Sequence, residues 1–401
     1  MTLSRLWPRR RAARWGLASA LGVVGVFGAA LLTLCATSGC SSVDYLGQSA
    51  SGHFHLLAAA RPVKDAIADP LLPEPLRERL KLTQRMRDFA VTELKLPDNG
   101  SYRSYADLKR AAAVWNVVAA PELSLTLRTW CFPIVGCVGY RGYYDKASAD
   151  AAAEPLRAEA LDVDVYPVPA YSTLGWMNWI GGDPLLNTFV QWPEGEVARL
   201  IFHELAHQVA YASGDTTFNE SFATSVEVIG SQRWLEANAT ADVRAQQALT
   251  ESRRNDFHAL VRGYRDRLDA MFKSDAPDVE KRALKATLYA DMRADYETLK
   301  RDKWAGYKGY DNWFRDANNA AMGAQAAYDD QVGTFVRLFA AEGSDFDRFY
   351  AEVKRLAALP KPERDAALAP YRDAPAATVQ SMPPAQSAQA RPASAVSSAP
   401  I

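Results

Sequence analysis

The sequence predicts a mainly α protein with a small β component, an α+β fold. Two observations carry that expectation. Apolar residues recur at three- and four-residue spacing over most of the chain, the period of helices buried on one face. Period-two alternation, the mark of a half-buried strand, is confined to a few short stretches. Composition agrees with a folded core: of 401 residues, 48% are hydrophobic and 10% aromatic, and the formal net charge is −1. No basic excess and no phosphate-cradling glycine loop points to nucleic acid or nucleotide. Residues 40–372 suffice for one large domain or two small ones.

The N-terminus reads as a secretory segment. Arg5, Arg9, Arg10, Arg11 and Arg14 form a basic flank, Trp15 to Leu34 is apolar and uncharged, and small residues precede Cys40. Gly39-Cys40 resembles a bacterial lipobox, which makes residues 1–39 a lipoprotein-type signal peptide and Cys40 the lipidated residue. Thr37 stands where such boxes usually carry Leu. The alternative is an uncleaved anchor, since about 20 apolar residues can span a bilayer. Either reading keeps the arginines inside and the bulk of the chain outside the cytoplasm. Ser41 fits sorting to the outer membrane, so the expected location is periplasm-facing and lipid-anchored in a bacterium with two membranes. Cys35 falls in the signal. Cys131 and Cys137 are expected to pair as a short-loop disulfide, with two buried free thiols as the alternative.

Tyr45 to Leu96 predicts two or three helices, broken at Asp69-Pro-Leu-Leu-Pro-Glu-Pro75. Ser101 to Asn116 predicts another, with Tyr105, Leu108, Ala112 and Trp115 on one face. Leu123 to Trp130 alternates as a strand should, and Asp162 to Tyr166 does so more briefly. Tyr166 to Thr188 is rich in Gly, Pro, Trp and Asn, as expected of loops and short strands beside a site. Within it, 170–176 and 184–190 are candidates for an edge strand that pairs with an extended peptide. Glu194 to Ala212 is a helix by the spacing of Val197, Leu200, Ile201, Leu205 and Val209. Residues 241–308 predict an antiparallel helical hairpin broken at Ser274–Pro277, either a solvated structural element or an arm for a protein partner. Residues 312–356 are again helical. Residues 373–401, dominated by Ala, Pro, Ser and Gln, cannot bury a core and are expected to be disordered.

The chemistry is concentrated in His203-Glu204-Leu205-Ala206-His207, an H-E-x-x-H. Helical positions i and i+4 share a face, so both imidazoles can point at one metal ion, with Glu204 beside them as general base. A catalytic zinc site takes three protein ligands and leaves one position open. The third ligand is not a histidine of the H-x-x-G-x-x-H type, because Ala210 and Ser213 occupy the matching positions. His53, His55 and His258 are far from the motif in sequence, which alone does not exclude them, but a carboxylate is the more economical choice, and Glu220, following Asn219 near the start of a second helix, is preferred. Glu227, with nineteen residues between it and His207, is the alternative ligand, or a group that orients a ligand histidine. A bland reading of Glu220 also exists: Thr217-Phe-Asn-Glu220 fits a capping box with Thr217 as N-cap. A histidine pair on so apolar a helix is costly to bury unless its nitrogens are satisfied, and a metal would satisfy them.

Leu200-Ile-Phe-His-Glu-Leu-Ala-His-Gln208 with Gly214-Asp-Thr-Thr-Phe-Asn-Glu-Ser-Phe-Ala223 resembles a bacterial family of zinc aminopeptidases, a gluzincin-like group. Tyr140-Arg-Gly-Tyr143, Ala170 to Gly175, Asp183 to Leu186 and Asn318-Asn-Ala320 are similar to its other blocks. The resemblance implies a zincin-like metallopeptidase domain, Zn2+ as cofactor with His203, His207 and Glu220 as ligands, and Glu204 as base toward a peptide substrate. A tyrosine is expected to stabilise the oxyanion: Tyr211, one turn past His207, with Tyr171 and Tyr328 as rivals. Asp183 and Glu227 are candidates to hold a substrate's free amine. The alternative to an enzyme is a metal-binding, non-catalytic lipoprotein scaffold that binds a protein partner. Glu204 argues against it, because a structural metal site has no need of a base.

Overall fold

The computed structural model describes residues 40–132, 136–170, 182–325 and 331–372. The proposed signal, the Ala/Pro/Ser-rich tail, Tyr171, Tyr328 and the 171–176 part of the first edge-strand candidate lie outside them. The chain divides after Ala58 into two compact units. In the first, helix α1 (Cys40–Ala58) begins at the proposed lipidation residue. No helix among the described residues is long and apolar enough to cross a membrane.

The second unit is mainly helical with small sheets. It opens with β1 (Ala60–Pro62), α2 (Val63–Ala68), α3 (Glu74–Thr92), β2 (Ser104–Ala106), β3 (Val114–Pro121), β4 (Trp130–Phe132), β5 (Gly136–Val138), β6 (Arg141–Tyr143), α4 (Lys146–Ala158), β7 (Leu161–Val168) and β8 (Leu185–Leu186). The break between α2 and α3 falls at the Pro-rich segment, where proline cannot continue a helix. In one sheet β2 pairs antiparallel with β1 and parallel with β8. In a second, β3 lies between β6 and β7, antiparallel to both, with Val117 opposite Val165. The β4–β5 hairpin sets Cys131 directly across from Cys137, and the two are disulfide-bonded. Asp162 to Tyr166 is thus part of a longer strand, while the 184–190 candidate shrinks to a two-residue strand joined to β2.

Two expectations in this half are overturned. Ser101 to Asn116 is not a helix. Tyr102 and Lys109 adopt left-handed backbone (φ 62° and 53°), which breaks a right-handed helix. The buried Arg87 holds the turn before them, donating to the carbonyls of Ser101 (3.0 Å) and Pro97 (2.6 Å). Leu123 to Trp130 is not a strand either: only Trp130 enters a ladder. Its alternation records burial on two clusters. Leu123 and Leu125 pack on the aromatic core of the later helical hairpin, and Leu127 packs on Val118, Ala120 and Ala320.

The helices that carry the site are α5 (Glu194–His207) and α6 (Thr216–Asn238). They run antiparallel: Trp234 Nε1, late in α6, donates to Glu194 Oε1 at the start of α5 (2.9 Å). Between and around them Ile201, Phe202, Leu205, Phe218, Phe222, Val226 and Ile229 are buried. Each such side chain contributes about 1.5–3 kcal/mol of burial. Gly230 lets the segment just after α3 approach α6, since a Cβ there would stand 2.6 Å from Leu94 Cδ1. Beyond them come α7 (Ala241–Phe272) and α8 (Asp278–Asp302), the expected hairpin, with its break at Ser274–Pro277. It is packed on the unit around Phe257, Tyr264, Tyr289, Tyr296 and Phe314. Among the described residues five short helices follow: α9 (Asp311–Asp316), α10 (Asn319–Gln325), α11 (Val332–Ala341), α12 (Phe346–Ala357) and α13 (Lys361–Arg372).

Candidate metal centre

Helix α5 ends at His207, not at Ala212 as the periodicity suggests. The loop that follows is captured from both sides. Gln208 exchanges hydrogen bonds with Asn99 (2.7 Å) and Ser101 (3.2 Å). The buried Asn219 side chain accepts from the Ala212 N–H (2.8 Å) and donates to the Ala212 carbonyl (2.9 Å). One amide thus satisfies both polar groups of a buried peptide position. Asp215 then caps α6, its carboxylate accepting from Phe218 N–H. The Thr217 capping box does not form. The helix has already begun at Thr216, which puts Glu220 inside its second turn. Capping therefore does not account for Glu220.

What Glu220 does meet is the histidine pair. His203 Nε2 and His207 Nε2 are 3.1 Å apart, and Glu220 Oε2 is 3.3 Å from the first and 3.7 Å from the second. Among the described residues these three form a group that could hold a metal ion. The fit can be tested on the donor atoms. A tetrahedral zinc with ligands at about 2.0–2.1 Å sets its ligand atoms about 3.3 Å from one another, and the three observed edges bracket that value. Two imidazole nitrogens facing each other at 3.1 Å also oppose their lone pairs unless a proton or cation lies between. The residues fit a metal ion.

Glu227 is on the other side of His203. Its Oε2 accepts from His203 Nδ1 at 2.9 Å, and its Oε1 is paired with Arg199 at 2.5 Å. A carboxylate can only accept here, so the Nδ1 carries a proton toward Glu227, and Nε2 is the nitrogen turned to Glu220 and His207. Both Glu227 oxygens are engaged, one with His203 Nδ1 and one with Arg199, so Glu227 meets His203 on the ring edge opposite the triangle. Electrostatics agree. Burial pushes both glutamates up, but His203 and His207 hold Glu220 far below the usual carboxylate range, and Arg199 with His203 does the same for Glu227. Burial pushes His203 down, yet bonds to Glu220 and Glu227 more than offset it and raise it well above the ordinary histidine value. Two carboxylates around one imidazole call for positive charge at this point.

Glu204 lies next to His203 on α5 and lines the same cavity of about 320 Å³. Tyr211 does not continue the ligand face of α5, because the helix has ended. It is 44% exposed in the loop, its phenol raised by partial burial and by the charge of Glu220. Asp183 is buried beside the Asn99–Tyr102 turn, its N–H on Ser101 Oγ.

Residues 44–368 match a protein family described as "Putative aminopeptidase". The chain belongs to that family. No curated protein and no solved structure matches the chain. In this member the cavity has a wall the sequence did not reveal: Arg254 and His258 from the hairpin helix α7 line it together with Arg199 and Trp192. Arg199 had a visible signal, a charge four residues before His203 on the same helix face. His258 was one of the distant histidines left open, and Arg254 had no signal, because only the docking of α7 on α5 brings them there.

Proposed function

We propose that the protein is a zinc-dependent peptidase, acting as an aminopeptidase, with His203, His207 and Glu220 as ligands and Glu204 as general base. The observation that carries this is the convergence of three donor atoms from α5 and α6, with Glu204 beside them on the cavity wall. A zinc ion held there supplies a Lewis acid and acidifies water. Glu204 takes a proton onto its carboxylate from the water that attacks the scissile carbonyl. It then gives that proton to the leaving amine. Glu227 keeps the His203 Nδ1–H in place, so the tautomer that presents Nε2 is fixed before substrate arrives. Tyr211, in the loop that follows α5 and near enough to feel the charge of Glu220, is the donor we assign to the oxyanion. The same proposal places the chain on the periplasmic side, lipid-anchored at Cys40. The Cys131–Cys137 disulfide supports an oxidising compartment.

The test is hydrolysis of a peptide library by the full chain, with free and blocked N-termini. The expected result is release of N-terminal residues, abolished by a chelator and restored by zinc. Cleavage that survives complete removal of metal would overturn the metal reading. Equal cleavage of blocked peptides would overturn the aminopeptidase one.

A further inference from the structure

Arg199 is only 8% exposed, on the face of α5 four residues before His203. Burying a guanidinium is costly unless it is paired and hydrogen-bonded. Its partners define a continuous chain. Arg199 meets Glu227 Oε1 at 2.5 Å, and Glu227 Oε2 takes the His203 Nδ1–H at 2.9 Å. In the other direction Arg199 Nη1 reaches Glu251 Oε1 of α7 at 3.4 Å. Gln247 of α7, one turn before, donates to the same Glu251 oxygen (3.3 Å) and to Glu196 of α5 (2.8 Å), and Arg254 also pairs with Glu196. Gly195 leaves the space for this docking: a Cβ there would stand 2.2 Å from Gln247 Oε1.

From this we propose that Arg199 is a positioning residue of the metal centre. It holds one oxygen of Glu227 and leaves the other directed at His203 Nδ1. Glu227 in turn fixes the ring plane and tautomer of His203. Without Arg199 the Glu227 carboxylate would be free to rotate and to bring both oxygens toward the histidines, in competition with Glu220. The proposal rests on the reading of His203 as a ligand. A structural alternative is available: Arg199 could serve only to dock α7 on α5 through Glu251. The two differ in what Glu251 should do, because Glu251 bonds Arg199 and Gln247 and so belongs to the docking contact.

The experiment uses the full chain and the variants R199M, E251Q, E227Q and R199M/E227Q, with R199Q in place of R199M should R199M not fold. Zinc affinity is read by chelator competition. Separately, the His203 Nδ1–H proton is read by NMR in metal-free, 15N-histidine-labelled protein. Orienting partners of this kind are worth about 10- to 100-fold in metal affinity. R199M should weaken zinc within that range and shift or broaden the His203 Nδ1–H signal. E251Q should leave both close to wild type. In the E227Q background, R199M should add little, as expected when one residue acts through the other. An unchanged Nδ1–H signal and zinc affinity in R199M would overturn the proposal. So would an E251Q loss as large as that of R199M, which would assign the effect to hairpin docking. If the wild type binds no zinc, the peptidase reading fails, while the Nδ1–H signal still decides whether Arg199 positions His203.

Discussion

The link between Asp215 and Arg364 allows a quantitative test of how Glu220 is held. Asp215 caps α6 and is buried, and its Oδ2 receives Arg364 Nη2 at 2.9 Å and Nε at 3.2 Å. Arg364, on α13, is itself only 4% exposed and stacks over Phe218. Replacing Asp215 by Ala removes an N-cap, worth about 1 kcal/mol. It also strands a buried guanidinium, for which breaking a buried pair costs about 3–5 kcal/mol. Arg364 keeps bonds to the carbonyls of Ala357 and Leu359, so the lower end applies and the sum is about 4 kcal/mol. Against a total stability of about 5–15 kcal/mol that is a large fraction. Asp215→Asn, which caps as well as Asp, should recover about 1 kcal/mol of the loss. Urea denaturation of the three proteins reads these values. Zinc affinity should fall along with stability, because Glu220 sits just inside the released end of α6. A loss below about 1 kcal/mol in Asp215→Ala, or equal losses in Ala and Asn, would refute the reasoning.

Three further outcomes are expected. Asn219→Ala strands the buried N–H and C=O of Ala212, at about 1–3 kcal/mol for each unsatisfied group; urea midpoints should drop and zinc affinity should weaken as the loop between α5 and α6 loosens. Glu204→Gln should keep wild-type zinc content and stability but lose at least about 100-fold in kcat, the contribution of a general base, as read by single-substrate kinetics. The Asp215 clamp also predicts a pH dependence. Burial raises the Asp215 carboxyl, but Phe218 N–H, Arg364 and Lys361 more than compensate, so its folded pKa lies below the ordinary 3.8. A depressed carboxyl contributes stability that is fully present above the unfolded value and lost as pH falls through the folded one. The stability gap between wild type and Asp215→Asn should therefore narrow as the pH is lowered below about 4; a gap that widens with acid would contradict the assignment.

The H-E-x-x-H pair was legible because helix geometry alone brings His203 and His207 to one face, whatever surrounds them. Glu220 was legible as a candidate, but its bland explanation fell only when the cap proved to be Asp215, two residues before Thr217. Asn219 stands in the motif with no role that its spacing shows. Its partners are the backbone atoms of Ala212, and nothing in the residue types of that loop says its peptide groups need an outside amide. The false helix at Ser101–Asn116 has the right apolar spacing, but a buried Arg87 pins the adjoining turn, and Tyr102 and Lys109 leave helical space. The false strand at Leu123–Trp130 alternates for a tertiary reason, two separate clusters under one extended segment. Both errors show local pattern overruled by contacts distant in sequence.

The peptidase proposal requires that α5 and α6 hold one metal ion between His203, His207 and Glu220. Zinc content of the purified full chain after reconstitution, measured beside Glu220→Ala and Glu227→Ala, tests it most directly. The account predicts one zinc per chain in the wild type, none retained in Glu220→Ala, and zinc retained but bound more weakly in Glu227→Ala. A wild type that takes up no zinc, or a Glu220→Ala protein that binds it as tightly as the wild type, would contradict the account.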